Sequence, residues 1–198
     1  TSSGQTSLRP SHRGPGRSGP RDRVSPGRGG ALAWAVLGAA VLQVVAPLVV
    51  ATGPGASPGE GAGPDLLITP VGWAFSIWSV IYALAIAQAA AVLLAKGAVV
   101  PVRLQVAQLM LYVGATAWIA LAAVENSVAT AVTLVLMFAA ATVALLLVAR
   151  AVVEPGWLRV LTGAAVGLYA GWVTAATFLN VSTALADNDV AGADELGW

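Results

Sequence analysis

Five stretches of the chain are each long and apolar enough to cross a lipid bilayer as a helix, and this constrains the fold more than any other feature. They run from about Ala31 to Ala51, Pro70 to Ala95, Leu104 to Val124, Ser127 to Ala149 and Leu158 to Ala186. A helix rises about 1.5 Å per residue, so roughly 20 residues span the ~30 Å of hydrocarbon. Lipid offers the backbone no water, and a helix satisfies its peptide groups within one segment. The alternation that a β-barrel requires is missing. Charged residues make up 10% of the chain, against about 25% in a soluble domain. The expected fold class is an all-α membrane protein, a bundle of five transmembrane helices.

Three regions follow from the same pattern. Residues 1–30 are Ser, Gly, Pro and Arg with almost no apolar content. Such a segment cannot bury enough surface to offset its ordering entropy, so it reads as a disordered basic tail. Residues 31–186 form the transmembrane domain, and residues 187–198 form an acidic tail. The first apolar block follows arginines, as a signal peptide would. It is too long for an h-region and lacks a clear cleavage site, so it reads as a retained helix.

The basic residues are Arg9, Arg13, Arg17, Arg21, Arg23, Arg28, Lys96, Arg103, Arg150 and Arg159. Five spans place all of them on one side. The positive-inside rule makes that side cytoplasmic. The N-terminus is then expected inside and the C-terminus outside, in what reads as a bacterial cell membrane. The basic tail has the composition to meet anionic lipid headgroups or nucleic acid. Setting topology explains it more simply, and no nucleic-acid partner is expected. The expected partners are membrane lipids and a hydrophobic small molecule.

The chain has no cysteine, which excludes a disulfide framework, a thiolate metal site and a thiol nucleophile. Its one histidine, His12, lies in the polar tail. No phosphate loop, paired catalytic carboxylates or nucleophile constellation is visible. The sequence therefore offers no catalytic residue, no metal ligand set and no obligatory cofactor, and the protein is not read as an enzyme.

The large aromatics are concentrated. Phe75, Trp78 and Tyr82 recur at spacings of three and four and form one stripe on the second helix. Trp73 falls nearly opposite Tyr82, close to the helix end, where Trp commonly anchors at the interface. On the fifth helix Tyr169, Trp172, Ala176, Asn180 and Thr183 share a narrow sector. An asparagine inside a membrane span faces protein or a cavity rather than lipid. Counted from the helix ends, Trp78, Tyr82, Trp118, Ala176 and Asn180 all lie in the outer half. Trp172 is nearer the midplane. Two readings fit this periodicity: helix packing with a Trp belt, or a pocket for a flat apolar ligand, for which rings offer stacking area and a polar handle.

Two motifs bear on that choice. "TPVGWAFSIWSVIY" places Pro70, Trp73, Phe75, Trp78 and Tyr82 in the order of a proline, Trp-x-Phe, Trp and Tyr. "GWVTAATFLNVSTAL" places Trp172, Ala176, Thr177 and Asn180 as Trp-x-x-x-Ala-Thr-x-x-Asn. They resemble the second- and fifth-helix signatures of the TspO/MBR family, the tryptophan-rich sensory proteins related to the peripheral benzodiazepine receptor. The resemblance spans roughly Ala31 to Asp187, with specific motifs on two helices. It implies a five-helix fold and a binding site for porphyrins such as haem and protoporphyrin, or for sterol-like ligands. It further implies a sensory, regulatory or transport role. The implied ligand-binding residues are Trp73, Phe75, Trp78, Tyr82, Trp118, Trp172, Ala176 and Asn180, with the loop Thr52–Thr69 as a lid. Two other functions belong to the same resemblance or fold class: an enzyme acting on bound porphyrin, and a subunit transporting a small solute. The chain departs from the family at Ser76, where a second proline is common, and at the "GATA" before Trp118, where an asparagine is common. These departures mark a divergent branch.

Smaller features have local explanations. Glu125-Asn126 reads as a polar outer turn, or else as a proton-relay carboxylate. Gln43, Gln88, Gln105 and Gln108 fit interhelical hydrogen bonds as well as they fit a polar path. Pro47 removes a backbone donor and is expected to kink the first helix. The Ala-rich fourth helix suits close approach of another helix, and a homodimer is expected.

Overall fold

The computed structural model describes residues 26–52, 76–188 and 190. Its elements are five helices: α1 (Pro26–Thr52), α2 (Ile77–Leu94), α3 (Val102–Ala122), α4 (Ser127–Arg150) and α5 (Gly156–Asp187). All five are long and apolar enough to cross a membrane. The expected helices are therefore present, with two shifts at the ends. α1 begins at Pro26, five residues inside the stretch expected to be tail. Proline has no backbone N–H to leave unpaired, so it suits the first position of a helix. At the other end of the chain, the 32 residues of α5 rise about 48 Å, more than the hydrocarbon layer needs. Pro47 lies inside α1. Pro70, Trp73, Phe75 and nearly all of the expected lid lie outside the described residues.

The helix ends follow from their residues. Asn126 precedes α4, and its side chain accepts from the Ala129 amide at 2.9 Å, one of the donors that a helix start leaves unpaired. Glu125 before it is exposed and has φ 54°. This pair therefore forms a capped, exposed turn between α3 and α4. Pro101 and Pro155 precede α3 and α5. Gly97, at φ 74°, turns the chain after α2, a conformation glycine adopts without steric cost.

The helices close into a ring. α1 packs on α2 and α3, α4 on α3 and α5, and α2 on α5. The order around the ring is therefore α1, α2, α5, α4, α3. One position shows how close the approach is: a Cβ on Gly114 of α3 would stand 2.7 Å from Met137 Cγ on α4. At one end the loops after α2 and α4 are clasped by a two-residue bridge. Val99 N donates to Glu154 O at 3.0 Å, and Glu154 N donates to Val99 O at 3.1 Å. Lys96, Arg103, Arg150 and Arg159 flank these clasped loops, so this end of the bundle is basic.

The core is mostly apolar, but the outer face is apolar too, and several amides and hydroxyls lie inside. Gln43, Gln88, Gln105, Gln108, Thr130 and Thr162 are buried, while Met110, Leu136, Phe138, Leu145 and Leu146 point outward. Water would penalise such an outer face, whereas lipid does not. Trp34 and Trp157 are both more than half exposed. They stand near the starts of α1 and α5, at the basic end, as interfacial anchors do.

Candidate functional site

The interior of the ring is filled by aromatic and amide side chains that link helices not adjacent around it. Trp78, in the first turn of α2, lies at the centre. Its ring stacks on Trp118 of α3, with centroids 6.1 Å apart and planes 26° from parallel. Trp172 of α5 meets it edge-on at 5.9 Å, and so does Tyr169 at 6.0 Å. Tyr82, one turn along α2, is tilted against it at 5.3 Å. Edge-to-face and offset arrangements are the favourable ones, because ring faces are negative and ring edges positive.

A polar group closes the cluster. Trp118 Nε1 donates to Asn180 Oδ1 at 3.2 Å, and Asn180 Nδ2 donates to the Ala176 carbonyl at 3.0 Å. Asn180 is thus held by its own helix and holds Trp118 from the far side of the ring. Thr177 bonds the Val173 carbonyl at 2.7 Å and reaches the Leu134 carbonyl of α4 at 3.3 Å. The Ala-Thr-x-x-Asn segment therefore ties α5 to α4 and α3 together. Ala176, with its small side chain, packs against the same core.

Of the residues expected to bind a ligand, Trp78, Tyr82, Trp118, Trp172, Ala176 and Asn180 come together here. Trp73 and Phe75 fall outside the described residues. Two residues of the same interior were missing from the expected site. Tyr169 touches both Trp78 and Tyr112, the latter with ring centroids 5.7 Å apart. Tyr169 already belonged to the fifth-helix stripe. Tyr112 had a weaker signal: it lies one turn from both Gln108 and Ala115, on the buried face of α3.

A family model described as TSPO-like protein matches residues 31–198. The chain belongs to the TSPO-like family. No curated protein and no solved structure matches the chain. The TSPO-like match covers α2 and α5, whose motifs carried the resemblance, and also α3 and α4, which carried none.

Below the aromatic cluster, toward the basic end, this TSPO-like bundle holds an amide network that shares Tyr169 with the cluster. Gln108 Nε2 of α3 donates to Gln88 Oε1 of α2 at 2.9 Å. Gln88 Nε2 donates to Thr162 Oγ1 of α5 at a longer 3.4 Å. Tyr169 Oη donates to Gln43 Oε1 of α1 at 2.7 Å. Gln105 instead bonds its own loop, at the Val100 carbonyl, 3.1 Å away. The glutamines thus make the interhelical bonds expected of them, except Gln105, whose bond is local.

Proposed function

We propose that this protein binds a flat hydrophobic molecule of the porphyrin or haem kind among Trp78, Tyr82, Trp118, Trp172, Ala176 and Asn180, and that binding serves a sensory, regulatory or transport role. One observation carries the reading. Three of the chain's seven tryptophans meet in the ring interior, with Trp78 in ring contact with the other two. Their edges and faces offer stacking area, and the Trp118–Asn180 pair offers a hydrogen-bonding handle. Packing alone would be served by Leu and Ala, which this chain uses freely elsewhere in its helices. A planar ligand would enter by taking the place of Trp78 on the Trp118 face. Trp78 sits in the first turn of α2, where rearrangement disturbs the least helix.

The same reading orients the molecule. The basic end, with Lys96, Arg103, Arg150 and Arg159, faces the cytoplasm by the positive-inside rule. The aromatic cluster then opens toward the outer half of the membrane. Titrating the purified protein with protoporphyrin while following tryptophan fluorescence tests the binding claim. Saturable quenching supports it. Quenching that rises linearly with added porphyrin, as free partitioning into the detergent gives, counts against it.

A further inference from the structure

Three helices that are consecutive around the ring each carry an arginine at the same end of the bundle. α3 packs on α4, and α4 on α5. Arg103 is the second residue of α3, Arg150 the last of α4 and Arg159 the fourth of α5. All three are exposed, and so is Lys96 after α2. The clasp between Val99 and Glu154, at 3.0 and 3.1 Å, holds together the two loops of this end. Glu154 is the only carboxylate among the described residues here. Arg103 and Arg159 gain nothing from their own helices. Each stands in a first turn, the positive end of the helix dipole, and neither first turn holds an acidic residue.

The same surface is also apolar. Val102 adjoins Arg103, Val152 follows Arg150 by two residues, and Trp157 and Val160 lie either side of Arg159. All four of these apolar side chains are more than half exposed. We propose that the arc Arg103, Arg150 and Arg159 binds the phosphate headgroup of an anionic phospholipid, whose acyl chains lie along the outer faces of α3, α4 and α5. Guanidinium groups match phosphate oxygens with paired N–H donors. A soluble anion or a nucleic acid would meet the cations but leave the valines and Trp157 in water. A zwitterionic lipid would cover the apolar part, but it brings a cation of its own. An anionic lipid meets both halves of the surface. The site does not depend on what binds among the tryptophans.

Native mass spectrometry of the full chain tests this, with phosphatidylglycerol or phosphatidylcholine of the same acyl chains titrated into the detergent. The native chain should hold phosphatidylglycerol tighter by on the order of tenfold, since each near-surface arginine is worth about fivefold. Arg103→Gln, Arg150→Gln and Arg159→Gln combined should remove that preference. A control with Arg9→Gln, Arg13→Gln and Arg17→Gln loses the same charge elsewhere and should keep it. Should the combined arc variant not fold, each of its single substitutions should still weaken phosphatidylglycerol binding about fivefold. Equal retention of the two lipids by the native chain overturns the proposal. So does a preference that survives in the arc variants, or one that the control loses to the same extent. Glycerol phosphate carries the anion without the chains and should not displace the lipid at equal concentration. If it or a short oligonucleotide does, the occupant is a soluble anion and the lipid assignment fails.

Discussion

Trp78 lies on Trp118 with ring centroids 6.1 Å apart, while Trp118 is held from behind by Asn180 at 3.2 Å. Three helices thus meet through three side chains at the centre of the ring. Asn180 is polar at a depth where lipid would reject it, and this bond is what makes its position tolerable. It also sets the plane of the Trp118 indole on which Trp78 rests.

The bond makes a testable contribution. Trp118→Phe keeps a ring in place but removes the donor, and Asn180→Ala removes the acceptor. A double-mutant cycle on the two, measured by thermal or denaturant unfolding in mild detergent, should give a coupling of about 0.6 kcal/mol, and up to about 1.7 kcal/mol if the pair is well shielded. Strictly additive effects would mean that the bond does not form.

Tyr169 joins the two halves of the interior. Its ring touches Trp78, and its hydroxyl bonds Gln43. Tyr169→Phe keeps the ring and strands the Gln43 amide. Leaving a buried polar group unsatisfied costs about 1–3 kcal/mol. The variant should therefore melt lower yet bind porphyrin nearly as well as the native protein. A large loss of affinity with unchanged stability would put the hydroxyl in the ligand site instead.

How much of this was legible in the sequence differs by level. The five helices were readable because lipid imposes one rule on every span, and unbroken apolar length reports it. The exact start of α1 was not, because Pro26 to Gly30 carry no apolar signal and their helix continues from the span behind them. Trp78, Trp172 and Asn180 were found through spacing and through the two motifs, and Trp118 through its distance from the Glu125 turn and the family resemblance. Tyr112 was overlooked because α3 is apolar nearly all round, so periodicity alone does not say which face turns inward. The pairing of Gln88 with Gln108 depends on the ring order of helices, and no single-helix pattern encodes that.

Close packing of α3 on α4 predicts an asymmetry between glycines. Alanine normally favours a helix over glycine by about 1 kcal/mol. At Gly114 its methyl would collide with Met137 Cγ at 2.7 Å, and overpacking costs about 1–3 kcal/mol. Gly114→Ala should therefore lower the melting temperature, and adding Met137→Ala should weaken that penalty. Gly167→Ala, with no atom within 4 Å of the new Cβ, should be neutral or stabilising. Equal effects at Gly114 and Gly167 would contradict the close approach.

Orientation can be read directly, because the chain has no cysteine of its own. Lys96→Cys marks the basic end, and Val124→Cys marks the opposite turn, where Val124 is exposed. In intact cells a membrane-impermeant maleimide should label Val124→Cys and leave Lys96→Cys unlabelled until the membrane is opened. The reverse pattern would invert the topology.

The most direct test of the central claim is porphyrin affinity in Trp78→Leu and Trp172→Leu, compared with Trp34→Leu and followed by the porphyrin's own absorbance. Leu keeps each helix apolar, so insertion should survive, and melting curves verify it. Ring stacking contributes about 0.5–1.5 kcal/mol beyond area burial, so affinity should fall about three- to tenfold in the first two variants. Trp34 is 65% exposed at the basic end of α1, and its replacement should leave affinity nearly unchanged. If all three variants bind and melt alike, the tryptophans serve as anchors and packing, and the ligand site lies elsewhere.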